Sequence, residues 1–339
     1  MWWPGVCARA EAPAGAALLA TLLLGGCQEP TPVLERIIPV FGTIVQVEVA
    51  GADPAAADAA LDGIEALYRR IDVDWRSFGP GELGRANARL AAGEPVLLSA
   101  GLAHLVARSL EVRELSGGLF DPRVGPLIRL WRFDDLAHAT PAAPPDEAAI
   151  DAARAALQAA VLHLDGRQLS TAAPVTLELA GIAKGSALAA GAAMLRAAGI
   201  RSALIVAGGD VLALGSRGPR PWRIGVRDPL GPGVLGRIDL LDGEAAVSSG
   251  NYERQFSAGG RRYHHIIDPR TGHPARGAAG TTVIGRDPEL ANAAATTLLV
   301  GGPAAFTGLA RQLGIDCALL VTEDGQRLTT PCMARRLRP

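Results

Sequence analysis

The chain has 339 residues, 49% of them hydrophobic but only 4% aromatic, with 41 glycines and 24 prolines. That length supports one large domain or two moderate ones, and an apolar fraction built mostly from Ala, Leu, Val and Ile excludes a disordered chain. Thirty-three basic residues against 34 acidic ones give a formal charge of −1, which offers duplex nucleic acid no concentrated basic face, so nucleic acid is set aside as a partner.

A leader comes first. The apolar run from Gly15 through Leu24 is too short to span a bilayer comfortably and ends in small residues, which marks residues 1–26 as a signal peptide. Leu24-Gly25-Gly26-Cys27 resembles the lipobox of bacterial lipoproteins, where the leader is cut before a Cys that is then acylated; the alternative is an ordinary secretory signal with an incidental Cys. The resemblance implies a membrane anchor on Cys27 and a tether over residues 27–35. With Gln28 rather than Asp after the Cys, it also implies an outer-membrane position facing the periplasm. No second apolar stretch reads as a membrane span. Loss of Cys7 with the leader and acylation of Cys27 leave Cys317 and Cys332. A two-residue turn at Asp324-Gly325 would set these opposite each other in a hairpin, as a disulfide or as two buried thiols.

The domain over residues 36–339 opens with "RIIPVFGTIVQVEVAG", whose alternation predicts a strand pair or one long bent strand. "DPAAADAALDGIEALYRRI" predicts a helix capped by Asp53 with Pro54 in its first turn, and "SAGLAHLVARSLEVRELSGG" a second one capped by Ser99. "DWRSFGPGELGRANARL" between them reads as loop, and the Pro-rich "ATPAAPPDEAA" as a solvated connection leading to a helix over 147–160. From "LHLDGRQLS" onward short strands dominate: "PVTLELA", "SALIVAGGDVLALG", "PWRIGVRD", "GRIDLLD" and "EAAVSSG". A helix starting at Lys184 interrupts them. Two further helices, near 288–300 and 303–313, precede the closing hairpin. Strands and helices interleave without strict βαβ alternation, which predicts an α+β fold of mixed sheets and helices.

Three stretches carry candidate chemistry. "LELAGIAKGSA" leads into a helix N-terminus with Lys184 at the entrance, where free amides, the helix dipole and an ammonium make an anion site without P-loop spacing. "VAGGDV" sets Asp210 behind two glycines that let a ligand approach the backbone. "RRYHHIIDPRTGHP" holds three of the six histidines. Adjacent His264 and His265 on a strand point to opposite faces, so they cannot share one metal ion; a lone inward His beside Asp268 and Arg270 fits recognition of a phosphate or ring.

Seven segments occur in the order seen in the ApbE family of FAD:protein FMN transferases: "GLFDPRVGPLIRLWRF", "GIAKG", "VAGGDV", "PWRIGVRDP", "SSGNYERQF", "YHHIIDPRTGHPA" and "ANAAATTLLVGG". The resemblance implies a flavin cleft, FAD as donor and Mg2+ as cofactor. It also implies transfer of FMN to a Thr or Ser hydroxyl of an acceptor flavoprotein domain in a membrane-associated redox complex, with release of AMP. An FAD pyrophosphatase and a flavin-binding lipoprotein without turnover are the alternatives. On this resemblance His265 and Lys184 are the catalytic positions, and Gly181, Ala183, Lys184 and Gly185 surround the phosphates. Asp268 supports the flavin pocket, Asp121 shapes the cleft, and Asp210 and Phe41-Gly42-Thr43 match ligand contacts, Phe41 standing where Met is commoner. Glu178 lies on the cofactor side, where Glu178 and Ala180 replace the family's Asp and Gly.

The implied metal ligands are the carbonyl of Ala183, Asn292 and Thr296. Here the chain departs from the family's "ADAxxT": Asn292 replaces a carboxylate, which predicts weaker Mg2+ binding, with Glu289 one turn earlier as a compensating ligand.

Overall fold

Eight antiparallel strands carry the rest of the chain. β1 (Val33–Val40), β2 (Thr43–Ala50), β6 (Ala203–Ala207), β7 (Asp210–Leu214), β10 (Ala245–Gly250), β13 (Ala278–Gly285), β14 (Cys317–Thr322) and β15 (Arg327–Thr329) pair in the order β1-β2-β6-β7-β10-β13-β14-β15. Smaller sheets join β3 (Val96–Leu97) to β5 (Gln168–Thr171) and β4 (Leu162–Asp165), β8 (Trp222–Arg227) to β9 (Val234–Leu240), and β11 (Gln255–Ala258) to β12 (Arg261–His264). The helices are α1 (Pro54–Asp74), α2 (Glu82–Ala91), α3 (Ala100–Leu115), α4 (Gly125–Leu130), α5 (Glu147–Ala159), α6 (Ala180–Ala197), α7 (Pro288–Gln312) and α8 (Pro331–Arg336). This computed structural model describes residues 33–134 and 143–339, so the leader, Cys27 and part of the Pro-rich connection lie outside the described residues.

Period-two alternation decides which side each strand residue buries. Val45, Val47, Ile205 and Val283 pack on one face against Ile64 of α1, Leu188 of α6 and Leu298 of α7. Their neighbours Val211, Ala213, Ile284 and Leu319 pack on the other against Trp222, Ile238 and Leu240 of the β8–β9 hairpin and Met333 of α8. Aromatic residues, scarce elsewhere, gather where Trp131, Phe133, Phe256 and Tyr263 lock the β11–β12 hairpin against α4 and α5. That hairpin ends at the adjacent histidines.

The α+β architecture agrees with the sequence, and the differences are local. Strand β1 begins at Val33, so residues 33–35 are sheet rather than tether. The stretch read as loop contains α2, which buries Leu83, Ala86, Asn87 and Leu90 along one face. "PVTLELA" is no strand, because its backbone bonds to a side chain: Leu177 N–H donates to Asn87 Oδ1 at 2.7 Å and Asn87 Nδ2 donates back to Leu177 O at 2.9 Å. α6 starts at Ala180, four residues before Lys184, so Gly181 and Gly185 lie inside the helix rather than in a turn before it. α7 breaks at Gly302 (φ 69°) ahead of Pro303, which reconciles one long element with two expected ones. By length and composition α7 could cross a membrane, contrary to the sequence reading, but it is mostly buried as the core helix.

Cys317 and Cys332 form a disulfide with Cα atoms 4.9 Å apart, by a route other than the expected hairpin. Val321 pairs with Arg327 and Thr322 N–H donates to Gln326 O, which leaves a three-residue loop closed by Gly325 at φ 88°. The register is therefore one residue out, and the first turn of α8 returns Cys332 to Cys317. An ion pair from Arg336 to Glu244 (2.6 Å) and buried Met333 hold the rest of α8. Closing a loop of this length is worth ~3 kcal/mol by chain entropy. Replacing both cysteines by Ser is expected to lower the urea midpoint accordingly, and equal midpoints for the two proteins would remove the disulfide from the stability account.

Candidate active site

Two glycine-bearing segments far apart in sequence meet in one ion pair. Lys184 rises from the second turn of α6, and its Nζ stands 2.5 Å from Oδ2 of Asp210, the first residue of β7. Asp210 is 1% exposed, and its Oδ1 accepts from Ser248 N–H at 3.0 Å. The turn before it, Gly208-Gly209 at φ 59° and 97°, needs residues without a β-carbon. A side chain at Gly208 would also meet Thr43 at 3.0 Å, so the β1–β2 hairpin tip abuts this turn. At the tip Phe41 takes a left-handed φ of 59°, held by its N–H to Asp72 (2.9 Å) and by its ring against Tyr68 (5.6 Å). Gly42 follows, exposed, at φ 67°.

Helix α6 offers a weakly capped N-terminus. Leu179 at the N-cap makes no side-chain bond, and Glu178 substitutes by accepting from Ala180 N–H at 2.9 Å. Burial pushes the Glu178 carboxyl above its usual range, while the neighbouring Arg254 pulls the other way. The free amides expected of the segment are mostly taken: Ala180 donates to Glu178, Ile182 and Ala183 donate to Leu179 O, and among the described residues Gly181 N–H is left without an acceptor. Gly181 and Gly185 serve packing: a β-carbon at Gly185 would lie 2.2 Å from Pro288 O in α7, and one at Gly181 3.0 Å from the Phe120 ring and 3.8 Å from Thr296 Oγ1.

The implied Mg2+ ligands are close to this turn but poorly suited to a resident ion. Asn292, 3% exposed, accepts from Gly185 N–H at 3.1 Å, so its carbonyl clasps α6 to α7. Thr296 Oγ1 pairs with Ser249 Oγ at 3.1 Å, and Ala183 O belongs to the ladder of α6. Glu289 does not compensate: it faces α3, bonding His104 Nε2 at 3.1 Å and Arg108 Nε at 3.2 Å. Among the described residues no group of three or more His, Cys, Asp or Glu is placed to hold a metal ion. Three neutral oxygens, all of them already hydrogen-bonded, do not fit Mg2+, which favours carboxylates.

The histidine stretch separates into three roles. His264 is buried; its Nδ1 accepts from Ile266 N–H at 3.3 Å, so Nε2 carries the proton and donates to Ala275 O at 2.8 Å. His273 pairs with Glu147 at 3.1 Å and meets Trp131 edge-on. Only His265 faces the cluster. Its Nδ1 lies 3.3 Å from Arg254 O, which leaves Nε2 as the open acceptor. Protein packed around the ring, then the charges of Arg254, His264 and Lys184, push its pKa down to about 3, so the imidazole is neutral near pH 7.

Arg254 and Tyr252 also belong to the site, although nothing in the local pattern of "SSGNYERQF" marks them. Arg254 is an exposed side chain whose charge reaches Glu178 and His265. Burial raises the Tyr252 phenol, with Glu253 and Asp210 adding to the rise and Arg227, 4.4 Å over the ring, opposing it. Asp121 and Asp268, expected to shape the cleft and to support the flavin pocket, are both paired within the protein. Asp121 is enclosed by Arg123 (Nη2 at 2.5 Å, Nε at 2.8 Å) and Arg113 (3.3 Å), and Asp268 binds Arg270 Nη2 at 2.8 Å while its carbonyl closes the DPRTG turn. Both carboxylates hold structure.

The chain resembles known proteins over nearly all of this region. The model of the ApbE family matches residues 41–319. A Rhodobacter capsulatus protein named FAD:protein FMN transferase is 41% identical across 97% of this chain, which spans 64% of that relative's length. A Vibrio cholerae protein of the same name is 30% identical across 91% of this chain and 94% of its own. Among solved structures, the ApbE protein of Thermotoga maritima aligns with a TM-score of 0.80 at 28% identity, covering 91% of this chain and all of that one. The flavin transferase ApbE of Vibrio cholerae aligns at 0.79 with 26% identity and the same coverage.

Two outcomes follow from the site geometry. Asn292→Asp supplies the missing carboxylate without losing an acceptor for Gly185 N–H, so Mg2+ affinity measured by calorimetry should rise about tenfold; unchanged affinity would place the metal elsewhere. His265 has a folded pKa of about 3 against an ordinary 6.5. As pH falls through that window the unfolded chain takes up a proton that the native state refuses, so stability is lost. His265→Gln should flatten the decline of Tm between pH 6.5 and about 4, and an unaltered slope would exclude a neutral, enclosed imidazole.

Proposed function

This chain belongs to the ApbE family, and we propose from that premise that it transfers FMN from FAD to a protein hydroxyl, releasing AMP. The observation that carries the reading is the Lys184–Asp210 ion pair beside the α6 N-terminus and the open Nε2 of His265. Phosphoryl transfer needs the diphosphate held and its charge balanced, which is a task of positioning and electrostatics. The Lys184 ammonium and the Gly181 amide at the α6 entrance bind the diphosphate. A Thr or Ser oxygen of the acceptor attacks the phosphorus on the FMN side, a P–O bond forms, and the bond to the AMP phosphate oxygen breaks. The hydroxyl proton passes to Nε2 of His265, whose basicity rises when the diphosphate's negative charge arrives beside it. Any Mg2+ used in the reaction would be carried by the diphosphate as part of the substrate, because the chain's neutral oxygens do not hold it alone.

The acceptor is a flavoprotein domain of a membrane-associated redox complex, and the enzyme works from a lipid anchor on Cys27 in the periplasm. The Cys317–Cys332 disulfide supports an oxidising compartment. The test is to incubate the protein with FAD, Mg2+ and an acceptor domain carrying a candidate Thr, then weigh the acceptor and assay AMP. An acceptor heavier by FMN with stoichiometric AMP is the expected result. FMN and AMP without modification would make the protein a pyrophosphatase, and bound FAD with neither product a carrier.

A further inference from the structure

Lys184 is the sole lysine of the chain; the rest of its 33 Lys and Arg residues are arginines. The two cations differ in shape, a compact ammonium against a broad planar fork. The side chain at position 184 is 32% exposed. The residue adjoins Gly185, where α6 touches the backbone of α7, and its ammonium ends against a carboxylate that is 1% exposed. Oδ1 of that carboxylate is fixed by Ser248 N–H, whereas Oδ2 has no aligned hydrogen-bond donor among the described residues. The charge of Lys184 is thus what compensates a buried oxygen, and neither Asp210 oxygen is left for a ligand.

We propose that Asp210 is a positioning residue, an internal counter-ion that holds Lys184 at the α6 entrance and competes with the diphosphate for its ammonium. The identity of the anion rests on the flavin-transfer reading; the competition does not. A counter-ion of this kind opposes ground-state binding yet fixes where the ammonium stands, so its removal should separate affinity from turnover. A purely structural carboxylate would lower both together.

Three full-length proteins test this: wild type, Asp210→Asn, and the double variant Lys184→Met with Asp210→Asn. Lys184 exposure is read by its acylation rate with an amine-directed reagent, since the chain has no other side-chain amine, and FAD affinity by quenching of flavin fluorescence. Asp210→Asn, which keeps an acceptor for Ser248 N–H, should acylate at Lys184 about fivefold faster, bind FAD about threefold more tightly and turn over about tenfold more slowly. The double variant should bind FAD more weakly than wild type. An unchanged acylation rate, or weaker FAD binding by folded Asp210→Asn, overturns the proposal. If Asp210→Asn fails to fold while the double variant folds, the carboxylate is needed only against the ammonium, which supports it; if neither folds, Asp210 has a separate structural duty and the proposal fails. Wild type that never binds FAD, with acylation rates changed as expected, would leave the counter-ion in place and refute the flavin reading instead.

Discussion

A β-carbon at Gly185 would lie 2.2 Å from the carbonyl oxygen of Pro288, so α6 and α7 meet there backbone to backbone. That approach governs what surrounds it. It brings Asn292 close enough to take Gly185 N–H, sets Thr296 beside Gly181, and directs the preceding residue, Lys184, away from α7 toward β7. Packing and chemistry share one origin, because the residue that removes a side chain from the helix interface sits next to the residue that supplies the cation. The segment reads as a phosphate turn in sequence, yet its two glycines serve a helix crossing.

The charges around the cleft follow a common rule, which is that carboxylates are matched within the protein. Asp121 is held by two arginines, Asp268 by Arg270, Glu289 by His104 and Arg108, and Asp210 by Lys184. Glu178 caps α6 from a site where burial raises its pKa. Leaving one such buried carboxylate without its partner would cost several kcal/mol, ~3–5 in measured cases. Arg254 is an exposed cation whose charge reaches both Glu178 and His265. Lys184 and Arg254 thus stand against Asp210 and Glu178, so the site balances two cations with two carboxylates, as the chain with its formal charge of −1 nearly does overall.

Much of this was legible in the sequence, and the failures share a cause. Helix caps at Asp53 and Ser99, hairpin strands and the α+β class depend on local pattern, and they were read correctly. Separation of His264 from His265 also follows from local alternation. What local pattern did not contain was the partner. Nothing within "VAGGDV" says that Asp210 faces Lys184, 26 positions earlier, and nothing within "FDPR" says that Asp121 is wrapped by Arg113 and Arg123. "PVTLELA" has strand-like residues, but Asn87 satisfies its backbone from another helix and so removes the need for a neighbouring strand. At the C-terminus the sequence leaves a disulfide and two buried thiols both open, and the disulfide forms one residue out of the expected hairpin register, with α8 rather than a strand carrying Cys332.

The polar groups of the site come from the β1–β2 tip, α6, the start of β7, the end of β12 and α7, and each is fixed by contact with a residue distant in the chain or on a neighbouring element. Phe41 is held in a left-handed conformation, which costs about 1–2 kcal/mol for a residue with a β-carbon, and Asp72 and Tyr68 bind it there. Through Thr43 that tip supports the Gly208 turn, the turn aims Asp210, and Asp210 holds Lys184. Charges already in place do not have to reorient as negative charge shifts between phosphate oxygens, so their stabilisation is not offset by reorganisation. On this view the interlocking contacts, more than any single side chain, give the site its electrostatic effect, which explains why its residues are so widely separated in the chain.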